Sequence, residues 1–232
     1  MRILAFETSA KAVSVALVED GKLLGEYFQN SGQTHSRTVM ELAKDLLKNC
    51  DLNAWDVDAV ACAAGPGSFT GVRIGMAAAK GFAWGRELPL IGISTLEAMA
   101  RNVMMADGIY CAAMDARRSQ VYTALFRWEN GVCSRLMEDC AISLEELEQV
   151  LRQYQGAKYL VGDGAVLCSQ KLVADNLILL PEHLRMQRAA GTALVAWQKM
   201  QTEEIPSADT LVPNYLRLSQ AERERLKKLQ ME

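Results

Sequence analysis

Two short polar turns carry the carboxylates that could do chemistry in this chain. Glu7 follows the apolar run ILAF, and Asp115 follows the apolar run IYCAAM. A carboxylate at the end of a buried strand can hold a metal ion or act as a general base. The first turn also offers the hydroxyls of Thr8 and Ser9, but it has no glycine to let a phosphate approach the backbone closely. The two turns are therefore the first candidates for a nucleotide or phosphate site.

The glycine-rich stretch AAGPGSFTGVRIG predicts a strand, a tight turn and then a helix, whose first amides could cradle an anion. It does not match a P-loop, because its last glycine is followed by valine and arginine instead of lysine and serine or threonine. It does not match the dinucleotide fingerprint either, since Gly65, Gly67 and Gly71 are spaced one position too widely. Two interpretations stay open: an anion site, or a turn in which Ser68 or Thr70 caps the helix.

The elements that would position these residues occur twice along the chain. Each half begins with three strands joined by tight turns, predicted at 3–6, 12–20 and 22–28 and again at 109–114, 121–128 and 132–138. Each continues with a helix, a strand and a helix, at 34–49, 57–65 and 71–86 and again at 143–154, 158–164 and 165–174. This similarity, at a spacing of roughly 110 residues, indicates an internal duplication. The alternative is that hairpins recur in any α+β protein.

This repeated unit resembles the ribonuclease-H-like fold of the actin, sugar kinase and heat-shock ATPase superfamily. The resemblance implies an α/β protein with an N-terminal lobe at 1–105, a smaller, reduced C-terminal lobe at 106–205, and a C-terminal helix at 213–232 packed back on the first lobe. It also implies that the acidic turns face each other between the lobes. The expected vestigial nucleotide or phosphate turns are Glu7, Thr8, Ser9, Gly65, Gly67, Ser68, Asp115, Gly162 and Gly164.

Composition excludes several classes of function. The 232 residues carry a net charge of −3, so no basic excess supports nucleic-acid binding by this chain alone. Two distant histidines argue against a catalytic zinc, and six cysteines without a C-x-x-C pair are expected to be reduced. His35 and Ser36 are sequence neighbours and not a catalytic triad, which disfavours a peptidase. Without a leader sequence or a long apolar run, we expect a cytoplasmic protein.

The stretches MRILAFETSAKAVSVAL, AAGPGSFTGVRIG, MDARRSQVY and LVPNYLR are similar to the TsaB (YeaZ) family, over essentially the whole chain. The family consists of noncatalytic paralogues of TsaD, which transfers threonylcarbamoyl to adenosine in tRNA. The resemblance implies a scaffold that binds TsaD and, with it, the ATPase TsaE, that pairs with itself when alone, and that meets tRNA only through the complex. ATP or ADP and metal are then expected on the partner subunits and not on this chain. Thr95 and Met99 stand where TsaD has metal-binding histidines, and neither replaces imidazole.

The helix predicted over 71–84 has apolar residues all round, which indicates that it is buried on all sides. In the family that the chain resembles, this helix and the preceding one pack against the partner. The expected interface residues are Val39, Met40, Leu46, Gly71, Arg73, Gly75, Met76, Ala77, Lys80 and Trp84. The alternative is that the second lobe or the C-terminal helix covers the surplus apolar surface.

A rival from another class is an ATP-dependent small-molecule kinase or hydrolase of the same fold, using Glu7 and Asp115 as metal or base residues. The pair Arg117 and Arg118 could contact tRNA or TsaE, although two arginines in a turn are more often solvated.

Overall fold

The computed structural model describes residues 1–202, 205 and 208–217. The strands are β1 Arg2–Glu7, β2 Val13–Glu19, β3 Lys22–Gln29, β4 Ala59–Gly65, β5 Leu90–Ser94, β6 Gly108–Asp115, β7 Gln120–Glu129, β8 Val132–Ser143, β9 Lys158–Val161 and β10 Leu177–Leu179. The helices are α1 His35–Asn49, α2 Phe69–Trp84, α3 Thr95–Arg101, α4 Leu144–Leu151, α5 Ala165–Lys171, α6 Glu182–Arg185 and α7 Ala189–Met200, with 3-10 turns at Ala54–Asp56 and Ala208–Thr210. Within this part of the chain no helix combines the length and the apolar character that crossing a bilayer requires.

The predicted duplication is present. One sheet has the strand order β3-β2-β1-β4-β5, and the other has the matching order β8-β7-β6-β9-β10. In each, the first strand of the half pairs antiparallel with the next strand and parallel with the strand that follows the first helix. The α/β class with two related lobes is therefore confirmed. The second lobe is reduced in its helices, since α4 and α5 have 8 and 7 residues where α1 and α2 have 15 and 16.

The second turn of each three-stranded unit is fixed by its sequence. Asp20 and Gly21 both have positive φ angles, 48° and 80°, and so do Asn130 and Gly131, at 51° and 79°. Two positive φ angles in a two-residue loop give the turn whose twist matches paired antiparallel strands, and Asp-Gly and Asn-Gly adopt it most readily. The register of β2 on β3 and of β7 on β8 follows from these turns.

Helices cover both faces of each sheet. The outer face of the first sheet carries α1 and α2, and the outer face of the second carries α4 and α5. Between the sheets, α3 packs on β6 and β7 through Leu96 and Met99, while α7 packs on β1 and β2 through Ala193. The two helices cross closely, because Gly191 lies against the carbonyl oxygen of Ala98.

Two predicted domain limits need correction. The smaller lobe was expected to extend to residue 205, but α7 packs on the first sheet and therefore belongs to the N-terminal lobe. Hydrogen bonds hold the start of α7 on the first lobe. Glu26 accepts from the Ala190 N–H and the Arg188 guanidinium, and Ser14 accepts from the Ala189 N–H. The helix predicted at 213–232 is absent from 213–217, which is irregular, and 218–232 lies outside the described residues.

Candidate functional site

The two acidic turns share one kind of hydrogen bond. The Ser9 N–H donates to Glu7 Oε1 at 2.7 Å, and the Arg117 N–H donates to Asp115 Oδ1 at 2.7 Å. In both cases a carboxylate accepts from the main chain two residues later, which is how short acidic side chains stabilise tight turns. One oxygen of each candidate catalytic carboxylate is therefore used to form its own turn.

The environments of the two carboxylates differ. Glu7 is fully buried, and its Oε2 has no hydrogen-bond partner within the described part of the chain. Burial raises the pKa of the Glu7 carboxyl to about 7, although hydrogen bonding from Ser9 acts in the opposite direction. Asp115 is exposed. Burial also raises the pKa of Asp163, which accepts a hydrogen bond from Gln187 at 2.8 Å and adds a like charge near Glu7.

The glycines of the first loop bring α2 against the Glu7 turn. A Cβ on Gly67 would lie 2.5 Å from the Ser9 carbonyl oxygen, and Cβ atoms on Gly71 and Gly75 would collide with Thr8. Two hydrogen bonds hold this contact: Ser68 N–H to the Ser9 carbonyl at 2.6 Å, and Thr8 Oγ1 to the Gly71 carbonyl at 2.8 Å. Of the two predicted caps, Ser68 is the one used, since its Oγ accepts from the Gly71 N–H at 3.2 Å.

The second half uses glycine in the same way. Gly162 has a φ of 104° and lies against the Ala113 carbonyl, and a Cβ on Gly164 would lie 2.9 Å from the Asp115 nitrogen. The Gly164 N–H donates to the Ala113 carbonyl at 3.0 Å. In both halves, therefore, glycine allows a close backbone contact with the acidic turn, and the packing requires it without any ligand.

A cleft of about 610 Å³ separates the two turns. Its lining includes Ser9 and Ser68 from the first lobe and Asp115, Arg117 and Asp163 from the second. Glu7 does not line it. The predicted meeting of the turns between the lobes thus holds for Asp115 and Ser9, while the Glu7 carboxylate is sealed away from the cleft.

The last described segment, residues 211–217, lies across this cleft. The Asn214 N–H donates to the Ala64 carbonyl at 2.7 Å, and Arg217 donates to the Ala116 carbonyl at 2.8 Å, so the segment contacts both lobes. A Cβ on Gly65 would lie 2.7 Å from the Asn214 carbonyl oxygen, which explains this glycine. The sequence predicts a helix over 213–232 packed on the first lobe, and it gives no signal for an irregular segment that also reaches the second lobe.

The predicted interface residues lie on α1 and α2, and they differ in their exposure to solvent. Met40, Arg73, Ala77 and Trp84 are exposed, and Lys80 is partly exposed. The other five are buried against this chain's own sheet or first turn, so their assignment to a partner surface is wrong: Val39, Leu46, Gly71, Gly75 and Met76. The error lies in the helical phase, since the glycine stripe of α2 faces Thr8 and not outward. In the isolated chain the opposite side of α2, at Arg73, Ala77 and Trp84, is exposed, so its predicted burial requires a partner.

The positions that the resemblance matches to metal-binding histidines lie in α3. Thr95 and Met99 are buried in α3. Glu97, which lies between them, pairs with Arg135 at 2.9 Å and with Lys199 at 3.3 Å, and so links α3 to β8 and α7. Sequence analysis missed this ion-pair network because its members lie far apart in the chain. Among the described residues, no group of three or more His, Cys, Asp or Glu side chains could hold a metal ion.

Comparisons with known proteins agree with this architecture. A family model described as tRNA N6-adenosine threonylcarbamoyltransferase, TsaD, matches residues 23–225. Two relatives are named tRNA threonylcarbamoyladenosine biosynthesis protein TsaB: one from Bacillus subtilis, 32% identical over 96% of this chain and 96% of its own length, and one from Escherichia coli, 33% identical over 94% and 95%.

The chain belongs to the TsaB (YeaZ) family. The resemblance predicted from its motifs is confirmed. The solved structure of YeaZ from Pseudomonas aeruginosa superposes with a TM-score of 0.80 at 25% identity, covering 93% of this chain and 99% of that one. The TsaB fold thus extends over both lobes.

Proposed function

We propose that this TsaB-family chain is a noncatalytic scaffold and activating subunit for the formation of threonylcarbamoyladenosine in tRNA. It binds a TsaD-type transferase through the α1–α2 face, a TsaE-type ATPase joins the pair, and tRNA is met only through the complex. ATP or ADP and metal belong to the partner subunits, and the chain pairs with itself through the same face when alone. The proposal keeps the cytoplasmic location expected from the sequence.

The observation that carries the proposal is the exposed stripe on α2. Arg73, Ala77 and Trp84 are spaced so that they lie along one side of the helix, and all three are exposed. Trp84 is 79% exposed, and Met40 on the neighbouring helix is 42% exposed. Exposed large apolar side chains on two neighbouring, otherwise well-packed helices are a feature of protein–protein interfaces. A second helical pair would cover them.

The use of the carboxylates supports a noncatalytic role. Glu7 is buried and accepts from the Ser9 main chain, and Asp115 accepts from the Arg117 main chain. A kinase or hydrolase that used both would have to open the first turn to expose Glu7, and the packing of Gly71 on Thr8 opposes that opening. The kinase or hydrolase is therefore the weaker proposal.

Ala77→Asp tests the interface. Ala77 is exposed, so the variant is expected to fold, while an unpaired carboxylate at a buried interface costs several kcal/mol and should weaken binding of a TsaD-type subunit at least about 100-fold. Ala106→Asp is the matched control, because Ala106 is exposed in the connection before β6. Light scattering and titration calorimetry give the stoichiometry and affinity. Wild-type affinity in Ala77→Asp would remove α2 from the interface.

Calorimetry with ATP and magnesium tests the rival. The scaffold proposal expects no binding by the isolated chain. Tight binding that is lost in Glu7→Gln would favour the kinase or hydrolase.

A further inference from the structure

The segment 211–217, called the strap below, is seated on the first lobe by specific contacts. Its Asn214 N–H donates to the Ala64 carbonyl at the end of β4, and the Leu211 side chain lies against Gly92 and packs on the core cluster of the first lobe. A side chain at either Gly65 or Gly92 would collide with the strap. The strap therefore packs on the first lobe through defined contacts.

The strap also contacts the α2 stripe through one residue. The Tyr215 ring stacks on Phe69, with ring centroids 4.6 Å apart. Arg73 Nε donates to the Tyr215 hydroxyl at 2.6 Å, and the Arg73 guanidinium lies 3.8 Å from the centroid of the Phe69 ring. Arg73 is the first member of the exposed stripe proposed above as the partner surface. In the isolated chain this arginine is held by the strap.

Two residues further on, the strap reaches the second lobe. Arg217 donates to the Ala116 carbonyl in the turn that follows β6. The three residues that follow Ala116 are Arg117, Arg118 and Ser119. Their φ angles are 62°, 56° and 57°, a conformation that residues other than glycine rarely adopt. One short segment thus joins the partner face of α2 to the turn of the second lobe that lines the cleft.

We propose that the strap regulates the α2 face: Tyr215 and an acidic side chain of the partner compete for Arg73, so that partner binding releases the strap from α2 and from the turn at 116–119. The Tyr215 hydroxyl occupies the Nε–H of Arg73, so the competing carboxylate is one that takes this Nε–H together with one Nη–H. Such a charged, two-pronged pair is stronger than the single hydrogen bond to a neutral phenol. The partner therefore carries a carboxylate opposite Arg73. This inference rests on the interface proposed above.

Hydrogen exchange of the full chain, read by mass spectrometry, tests the strap without a partner. Tyr215→Ala should speed exchange in 211–217 at least about 10-fold, because the Asn214 N–H loses the ring that holds the strap in place. Exchange at 116–120 should rise with it. Val212→Ala is the matched control, since Val212 is 70% exposed within the same segment. Equal exchange in Tyr215→Ala and Val212→Ala would overturn the proposal.

Adding a TsaD-type subunit tests the competition. In the complex, exchange at 211–217 of the wild-type chain should rise toward that of Tyr215→Ala. Tyr215→Phe keeps the stacked ring but removes the hydroxyl that holds Arg73, so it should bind the partner about 3-fold more tightly. A complex in which 211–217 stays protected, with Tyr215→Phe binding as wild type or more weakly, overturns the strap proposal and leaves the interface intact. Absence of any complex overturns the interface and, with it, the strap's regulatory role.

Discussion

The buried carboxyl of Glu7 predicts that stability depends on pH in an unusual direction. Burial raises its pKa from the ordinary value of 4.5 to about 7 in the folded chain, so between these two values the folded state holds a proton that the unfolded state has released. The stabilising contribution is complete below pH 4.5 and is lost as the pH rises toward 7. The two pKa values differ by about 2.5, and each unit is worth about 1.4 kcal/mol, so the loss is about 3 kcal/mol.

Glu7→Gln isolates this effect. Its amide oxygen still accepts from the Ser9 N–H, but it does not titrate. The free energy of unfolding of the wild type, measured by urea denaturation at several values between pH 4.5 and 8, should fall by about 3 kcal/mol relative to Glu7→Gln up to pH 7 and then stay level. Thr8→Val, which removes only the hydroxyl that donates to the Gly71 carbonyl, should shift stability equally at every pH.

A difference in the free energy of unfolding between wild type and Glu7→Gln that does not change with pH would refute the raised pKa of Glu7. That result would mean that Glu7 is ionised in the folded chain, and it would return the carboxylate to the candidates for binding a metal ion or acting as a base. A difference that increases in favour of the wild type as the pH rises would mean that a cation near Glu7 stabilises its charged form.

Two further predictions concern the packing that holds the candidate site. Gly75→Ala should lower the free energy of unfolding by about 1–3 kcal/mol in urea titrations, since its Cβ would collide with Thr8. Gly81→Ala, on the open side of α2, should instead raise it by up to about 1 kcal/mol. Equal effects of the two substitutions would contradict the packing role of the glycine stripe. Glu26→Ala should lower the stability of the fold by about 2 kcal/mol in thermal melts, because it removes the acceptor for Arg188 and for the first turn of α7. Glu19→Ala breaks the more exposed pair with Arg2 and should lower the stability by under about 1 kcal/mol. If the two variants melted alike, the position of α7 would not depend on Glu26.

The sequence predicts the repeated architecture well because its signals are local. Asp20-Gly21 and Asn130-Gly131 define their own turns. Alternating apolar residues define the strands that these turns connect. The boundaries of α2 are shifted by only two residues at either end, since Ser68 caps the helix from just before its first turn. These features need no knowledge of distant contacts.

Features that depend on distant contacts were not predictable in this way. The placement of α7 on the first sheet depends on Glu26 and Ser14, more than 160 residues away in the chain. The burial of Gly75 and Met76 depends on which side of α2 meets Thr8, and an apolar helix gives no signal of its orientation. The same ambiguity explains why half of the predicted interface residues proved to be core, while Ala77 and Trp84 stay available to a partner.

The resemblance of the glycine loop to a phosphate loop follows from the duplication. In each half, a helix that starts after a central parallel strand must pass close to the acidic turn of the neighbouring strand, and only glycine permits that approach, as Gly71 shows at Thr8 and Gly164 shows at Asp115. A glycine pattern of this kind is therefore required by packing whether or not a ligand binds. The environment of the carboxylate is the more informative observation. Asp115 lines the cleft, while Glu7, which accepts the equivalent main-chain hydrogen bond, is buried beneath α2. The two acidic turns, at equivalent positions of the two halves, have thus diverged in exposure as well as in backbone conformation, and a role in catalysis would require the first turn to lose the packing that defines α2.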